Sequence, residues 1–563
     1  MLLCGLKITH DASVALVDGN RLIRCVEVEK LENNSRYSEM GTVSRISSIL
    51  RSEGVSADDV DRYVIDGWHD VSPGAEPVGE VSTGGDTGER IRLTVGSYNE
   101  VSSRSEVLKP VVVQGGLRLN GRTYDYVSYK HVAGHIFAAY CTSPFAASKS
   151  PAYVLVWDGG QYPRLYLVDP TKDLITSLGP LFGFQGTIYG IMGHYFGPYK
   201  RTPEQLEQER REQATKGYFG GHSIAGKLMS YIGLGQVDAD LVDQMHRIYR
   251  RDFQPSHGFE HAFMEAVTAV TANSDYSDAD ILLCLHTFIE ELLTRSLRKK
   301  LDTATSQNVC FSGGAALNIK WNSAIRRSIP MGQLWVPPFP NDSGNGIGAA
   351  CCEMVIRTGD YALDWSVYSG PAITAGAMLP GWSSRSCTLS EIAHLLAFSN
   401  QPIVFLNGPA ELGPRALGNR SILASAATEQ MKLWLNDVKR REHFRPVAPI
   451  CLEEDAPLVF DPGTPDPFML FDHRIRDSWV EKVPAIRHLD GTARLQTVSH
   501  SQNPVVYNIL TAYRNLTGIP LLCNTSANLN GSGFFPDAES AMRWGGVDLV
   551  YCDGVLYERH GLQ

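Results

Sequence analysis

Short apolar runs separated by polar turns dominate the start of the chain: LLCGLKI, THDA, SVALV, DGN and RLIRCVEV. The pattern predicts strand, turn, strand, turn, strand, and Asp18-Gly19 is a strong hairpin signal. Residues 152–178 repeat the plan as AYVLVW, DGGQYP, RLYLV, DPTKD and LITSL. In LLCLHTFIEELLTRSLRKKL, residues 282–301, the apolar positions recur at helical spacing. NVCFSGG reads as a strand running into a glycine turn, followed by the helix AALNIKWNSAIRR, and QLWVPP as a further strand. Asn341-Asp342-Ser343 is positioned to cap the glycine-rich helix that follows. Residues 76–128 and 196–222 read as irregular or inserted; in the second, RTPEQLEQERREQ suits an exposed helix or a lid. A Gly/Ser/Pro-rich stretch from about Ser369 to Ser386 divides the chain into 1–370, a linker at 371–387, and a smaller α/β region at 388–563. That region opens with the helix SEIAHLLAFSN and the strand PIVFLNG.

Each meander carries acidic and turn-forming residues at its first turn, His10-Asp11 in one and Asp158-Gly159-Gly160 in the other. An internal duplication of this type resembles the actin, sugar-kinase and chaperone ATPase superfamily, whose two lobes place first-turn loops face to face. Two unrelated meanders are the alternative.

Composition narrows the class. A chain of 563 residues exceeds one typical core and implies two or more domains. Hydrophobic content of 43% and charged content of 20% describe an ordinary globular protein. The net charge of −10 argues against a general nucleic-acid partner. No apolar run reaches membrane-spanning length, and MLLCGLKITHDASVALVDG reads as a strand, not a signal peptide. Eleven scattered cysteines without a C-x-x-C fit a reduced, cytoplasmic enzyme better than a disulfide framework.

Two constellations carry chemistry. His131 and His135 lie one helical turn apart in KHVAGHIFAAY, hence on one face. Asp158 ends an apolar strand and Asp342 sits in PPFPNDSGNGIGAA, so both carboxylates stand at loop mouths. A mixed nitrogen and oxygen set suits iron, manganese or zinc; two histidines on a packed helix are the plainer alternative. The second set is basic. Arg415 and Arg420 occupy PAELGPRALGNRSILAS, Lys439, Arg440, Arg441 and Arg445 occupy NDVKRREHFRPVAP, and Arg494 lies in RLQTV. The polar turn Asn524–Asn528 follows the strand PLLC. Arginine forks with turn amides and hydroxyls suit a phosphate pocket, and solvated surface charge is the alternative.

With these pieces in order, the chain resembles the NodU/CmcH-type O-carbamoyltransferases. The matching pieces are HDAS (His10–Ser13), His131/His135, Asp158-Gly159, AGKLM (Ala225–Met229), GGAALN (Gly313–Asn318) and VPPFPNDSG (Val336–Gly344). They continue with ELGPRALGNRS (Glu411–Ser421), RPVAP ending at Pro449, QTV (Gln496–Val498) and NTS (Asn524–Ser526). The resemblance implies an α/β protein with a duplicated, actin-like (TsaD-like) two-lobed domain and a C-terminal YrdC-like domain. It implies carbamoyl adenylate formation from carbamoyl phosphate and ATP with Mg²⁺, then transfer to a hydroxyl of a small-molecule acceptor, such as a natural product. It implies Fe(II) or a similar divalent ion on His131, His135, Asp158 and Asp342, with His10 as base. Gly159, Gly226, Lys227, Gly313, Gly314 and Asn318 match the adenylate site of the N-terminal domain. Arg415, Arg420, Lys439, Arg445, Arg494, Asn524, Thr525, Ser526 and Asn528 match the ATP and carbamoyl phosphate site. The sequence departs from the family at KLENNSRY, where Arg36 is the only basic residue after Lys30, and at Ala527 in NTSAN, where an aromatic residue is usual. A tRNA threonylcarbamoyladenosine-type transferase and a sugar-kinase-like ATPase are the competing functions.

Overall fold

The computed structural model describes every residue except 32–34, 69–77, 86–87, 99–102, 217–221, 253–258, 329–331, 530 and 561–563. The strand Leu2–Lys7 pairs antiparallel with Ser13–Asp18 and parallel with Arg62–Asp66, which pairs parallel with Arg122–Tyr129. The second meander repeats this. Ala152–Val156 is antiparallel to Arg164–Asp169 and parallel to Asn308–Ser312, which is parallel to Gln333–Trp335. The shared topology answers the question of two unrelated meanders: this is an α/β protein with a duplicated, two-lobed N-terminal unit. Ala152–Val156 is buried at every position, as expected of a strand covered on both faces.

In each lobe the last parallel strand feeds a helix, His131–Cys141 in one and Asn345–Thr358 in the other. Every residue of His131–Cys141 is buried, so the helix belongs to the core and its two histidines are enclosed with it. The two helices touch through glycine. A Cβ on Gly348 would fall 2.0 Å from the Gly134 carbonyl oxygen, which no neighbouring backbone could yield. Likewise a Cβ on Gly5 would fall 2.0 Å from the Gly346 carbonyl oxygen, so the first strand lies directly against the second helix.

The C-terminal unit is an eight-stranded mixed sheet. Helices Leu389–Phe398 and Pro504–Thr517 pack on one face around Ile392, Leu396, Ile509 and Leu510. The other face buries Met431 and Leu435 of Glu429–Val438. Trp382–Ser386 pairs with Val555–Arg559 in this sheet, so structured elements begin inside the stretch read as a linker.

Two expectations change. Segment 76–128 contains the hairpins Val78–Gly84/Arg90–Gly96 and Val111–Leu119/Arg122–Tyr129, apart from its residues outside the described set. A register break between Val113 and Leu117 disrupts the alternation of the second hairpin, which hides its strand pattern. Asn341-Asp342-Ser343 makes no side-chain cap to the helix that follows. Ser343 donates instead to the Asn341 side chain at 3.1 Å, and the buried Asp342 carboxylate meets Lys7 at 2.9 Å. Pro203–Lys216 is a helix, matching the exposed-helix alternative. No described helix is long and apolar enough to cross a membrane.

Candidate functional sites at the lobe and domain junctions

The lobes converge on His131, His135, Asp158 and Asp342, whose candidate ligand atoms all lie within 4.8 Å of one another. His131 Nε2 stands 3.6 Å from Asp158 and 3.5 Å from Asp342; His135 Nε2 stands 3.8 Å and 3.4 Å from the same two carboxylates. Both Nε2 atoms are buried without a hydrogen-bond partner, as expected of ligand nitrogens, so the residues present fit a divalent ion.

The opposite edge of each imidazole is held. His131 Nδ1 lies 2.8 Å from Asp66, and His135 Nδ1 lies 3.4 Å from the Ser312 hydroxyl. Such partners orient metal-binding histidines and select the tautomer that exposes Nε2. Tyr98 stacks on His131 with ring centroids 4.6 Å apart and donates to Asp158 at 2.5 Å. Lys7, fully enclosed, pairs with Asp342 at 2.9 Å and Asp66 at 3.2 Å beneath the Trp68 ring.

Electrostatics follow from these contacts. Burial disfavours a charge on His131, but Asp66 and Asp342 outweigh it and raise the pKa well above the usual imidazole value. Burial also opposes charge on Asp342; Lys7, His131 and His10 nevertheless hold it far below the ordinary carboxylate range. Asp158 is likewise lowered, against burial and the Asp342 charge, by His131 and His135. His10 sits at the rim, its Nδ1 3.2 Å from Asp11 and its Nε2 3.5 Å from Asp342. Its pKa is raised, with Asp342 and Asp11 overcoming burial.

Nearby glycines shape this centre. Gly314 N donates to Asp158 at 3.1 Å. Gly313 has φ +93°, and a Cβ there would meet the Trp157 carbonyl at 2.3 Å, so only glycine fits. Thr187 N donates to the Gly159 carbonyl. Asn318 accepts from the amides of Lys320 and Trp321 and caps the helix Ile319–Ser328.

The basic residues form a second centre where the C-terminal unit meets the first. Burial lowers Arg494 well below the usual guanidinium value, and repulsion from Arg415, Arg441, Arg445 and Arg36 lowers it further. Arg415 falls to about 10 through burial and then Arg36, and Arg441 to about 9 through burial, Arg445 and Arg36. The Nε atoms of Arg36, Arg415, Arg441 and Arg494 are buried without hydrogen-bond partners. Solvated surface charges would show neither feature. Arg36 also donates to the Pro414 carbonyl at 2.9 Å and Arg415 to the Leu317 carbonyl at 3.3 Å, so each domain reaches into the other. A small cavity lies beside this centre, lined among others by Gly226, Lys320, Phe444, His488 and Arg494. Lys227 lies over the Tyr199 ring, whose hydroxyl donates to Glu442 at 2.8 Å.

Other expected pocket residues have structural tasks. Arg420 is 1% exposed and donates to the carbonyls of Asn407, Gly408, Asn419 and Pro371, so its guanidinium clamps its own loop. Lys439 ties the polar turn together through the Ser526 carbonyl and the Asn528 carbonyl and side chain. Asn524 donates to Ala416 and Gln496, and Ser526 donates to Asn528. Thr525 alone of that turn accepts from a pocket arginine, Arg441, at 3.3 Å.

Sequence reasoning left Lys7, Asp66, Trp68 and Tyr98 unassigned at the first centre, and counted Arg441 only as one basic residue among several. Two signals existed: a charged residue in the apolar strand LLCGLK, and Asp66 ending the strand RYVID before Gly67, as Asp158 ends AYVLVW before Gly159.

Comparison with known proteins fits the division into two units. Residues 2–351 match the carbamoyltransferase N-terminus and residues 393–559 the carbamoyltransferase C-terminus. Nodulation protein U of Sinorhizobium fredii is 45% identical over 579 residues, covering 99% of both chains. A 3'-hydroxymethylcephem-O-carbamoyltransferase of Amycolatopsis lactamdurans is 31% identical over 95% of this chain and 94% of its own. Among solved structures, HypF of T. kodakarensis overlaps at TM-score 0.31 and 12% identity, over 64% of this chain and 48% of that one. Matches to both halves in order, and relatives aligned from end to end, make this chain a member of the carbamoyltransferase family.

Proposed function

We propose that the protein is an ATP-dependent O-carbamoyltransferase that activates carbamoyl phosphate in the arginine centre and transfers the carbamoyl group beside the metal cluster. The observation that carries this reading is the group of four buried, unpartnered Nε atoms on Arg36, Arg415, Arg441 and Arg494. Mutually repelling cations persist in a fold when a polyanion is their normal companion. ATP with Mg²⁺ and carbamoyl phosphate supply such charge. Hydrolysis of carbamoyl phosphate gives carbamate and inorganic phosphate; a carbamate oxygen then attacks the α-phosphorus of ATP, forming carbamoyl adenylate and releasing pyrophosphate. Fixed guanidinium groups stabilise charge as it builds on the leaving pyrophosphate.

For transfer, the acceptor hydroxyl attacks the carbamoyl carbon and AMP leaves. His10 is the base: Asp11 holds its Nδ1 at 3.2 Å, orienting Nε2 towards the cluster to take the hydroxyl proton. A divalent ion such as Fe(II), held by His131, His135, Asp158 and Asp342, would supply Lewis acidity there. The acceptor is a hydroxyl-bearing small molecule, consistent with the cephem in the name of the Amycolatopsis relative.

Pyrophosphate exchange into ATP tests activation. Exchange that requires carbamoyl phosphate supports the reading, and exchange indifferent to it refutes it. Product masses over a panel of acceptor alcohols identify the second substrate.

A further inference from the structure

Lys7 closes the first strand and is 1% exposed, so its ammonium has lost nearly all hydration. A cation in that position is tolerated only with anionic partners at close range. It has two. Nζ lies 2.9 Å from Asp342 Oδ2 and 3.2 Å from Asp66 Oδ2, with the Trp68 ring centroid 3.9 Å away. The other oxygen of Asp342, Oδ1, points at the histidines, 3.5 Å from His131 Nε2 and 3.4 Å from His135 Nε2. The same Asp66 oxygen that meets Lys7 lies 2.8 Å from His131 Nδ1. One side chain therefore touches a candidate ligand and the residue that orients another.

We infer that Lys7 is a positioning residue that divides the Asp342 carboxylate, holding Oδ2, which His10 Nε2 also approaches at 3.5 Å, and leaving Oδ1 for the ion. This rests on the metal reading of the quartet and deepens it. Without the ammonium, both Asp342 oxygens face the ion, and Asp66 keeps only the longer Asn345 contacts, 3.4 Å to each oxygen, to set its angle to His131. Charge points the same way. The three carboxylates Asp66, Asp158 and Asp342, offset by Lys7, leave two negative charges, which one divalent cation neutralises. Asp342 comes from the second lobe and Lys7 from the first, so their pairing also fixes the two halves of the quartet against each other.

The test uses the full-length protein with Lys7→Met, and Lys7→Arg as the charge-retaining variant. Dissociation constants for Fe(II) and Co(II) are measured by competition with a chromophoric chelator, and folding is checked by circular dichroism. Loss of a metal-orienting partner costs roughly 10–100-fold in affinity. Lys7→Met is expected to weaken binding by that factor and to change the visible Co(II) bands, because the ligand set around the ion changes. Lys7→Arg is expected to recover part of the affinity. Wild-type affinity together with unchanged Co(II) bands in a folded Lys7→Met overturns the inference. If Lys7→Met does not fold, the Co(II) bands of Lys7→Arg decide: bands identical to wild type would overturn it, since a guanidinium cannot reproduce the point contact of an ammonium. Failure of the wild-type protein to take up either ion would instead overturn the metal reading, and this inference with it.

Discussion

Replacing Arg441 by methionine should stabilise the ligand-free protein while abolishing activation. Burial first, and then Arg445 and Arg36, lower the Arg441 guanidinium to about 9, so the fold tolerates its charge poorly. That drop corresponds to roughly 5 kcal/mol against the charged form. Part of this relief is returned, because the variant loses the 3.3 Å bond to Thr525, worth about 1 kcal/mol, and solvent at the pocket mouth screens the rest. A net gain of about 1–3 kcal/mol remains, or roughly 2–10 °C in the melting temperature of a domain this size. Arginine stays protonated in the folded and unfolded chains across the working pH range, so the penalty on its charge is expected to be independent of pH. Thermal melts in low-salt buffer free of phosphate and sulfate provide the assay, repeated with added pyrophosphate. Pyrophosphate should raise the wild-type melting temperature strongly and that of the variant weakly. A variant that melts below wild type without anions, or that responds equally to pyrophosphate, would refute the picture of a frustrated cation pocket.

Three further outcomes follow from particular contacts. His10→Ala should keep carbamoyl-phosphate-dependent exchange while losing acceptor transfer by about 10²–10⁴-fold, and loss of both together would assign His10 a structural role in its turn. Arg420→Ala should lower the unfolding free energy by about 2–4 kcal/mol in chemical denaturation, because the Asn407 and Gly408 carbonyls lose their arginine donor while those of Asn419 and Pro371 keep the backbone amides of Asn407 and Ala410; a variant as stable as wild type would contradict that clamp. Metal uptake should release a proton from His131, whose pKa Asp66 and Asp342 raise against burial, so affinity falls about tenfold per pH unit as pH drops through neutrality. Chelator competition from pH 6.5 to 8 measures this slope, His131→Ala with His135→Ala serves as the non-binding control, and a flat profile above pH 7 would count against it.

The duplicated architecture was legible because its signals are local: buried apolar strands joined by tight polar turns, twice over, each set entering a core helix. The quartet was legible for a related reason. Two of its members share a helix face, and the other two follow strands whose ends the duplication already directs to a common cleft. The hairpin Val111–Leu119/Arg122–Tyr129 escaped because its register break disrupts the alternation, although Asn120-Gly121 marks its turn. Arg420 escaped differently, since nothing in GPRALGNRS distinguishes an arginine that grips its own loop from one that awaits an anion. Only the direction of the guanidinium settles it, and that direction depends on carbonyls as far away as Pro371.

The partners of the quartet reveal what the duplication does for chemistry. Asp66 ends the second parallel strand of the first lobe, and Ser312 ends the equivalent strand of the second. Asp66 supports His131 and Ser312 supports His135, so the imidazoles of a single helix are each braced by the same structural position in a different lobe. The two positions carry different chemistry. A carboxylate stands against one imidazole and a hydroxyl against the other, and Lys7 balances the charge only on the carboxylate side. Sequence symmetry therefore predicts where supporting residues stand, and the departures from that symmetry, Asp66 and Lys7 above all, are where a repeated scaffold becomes one asymmetric site.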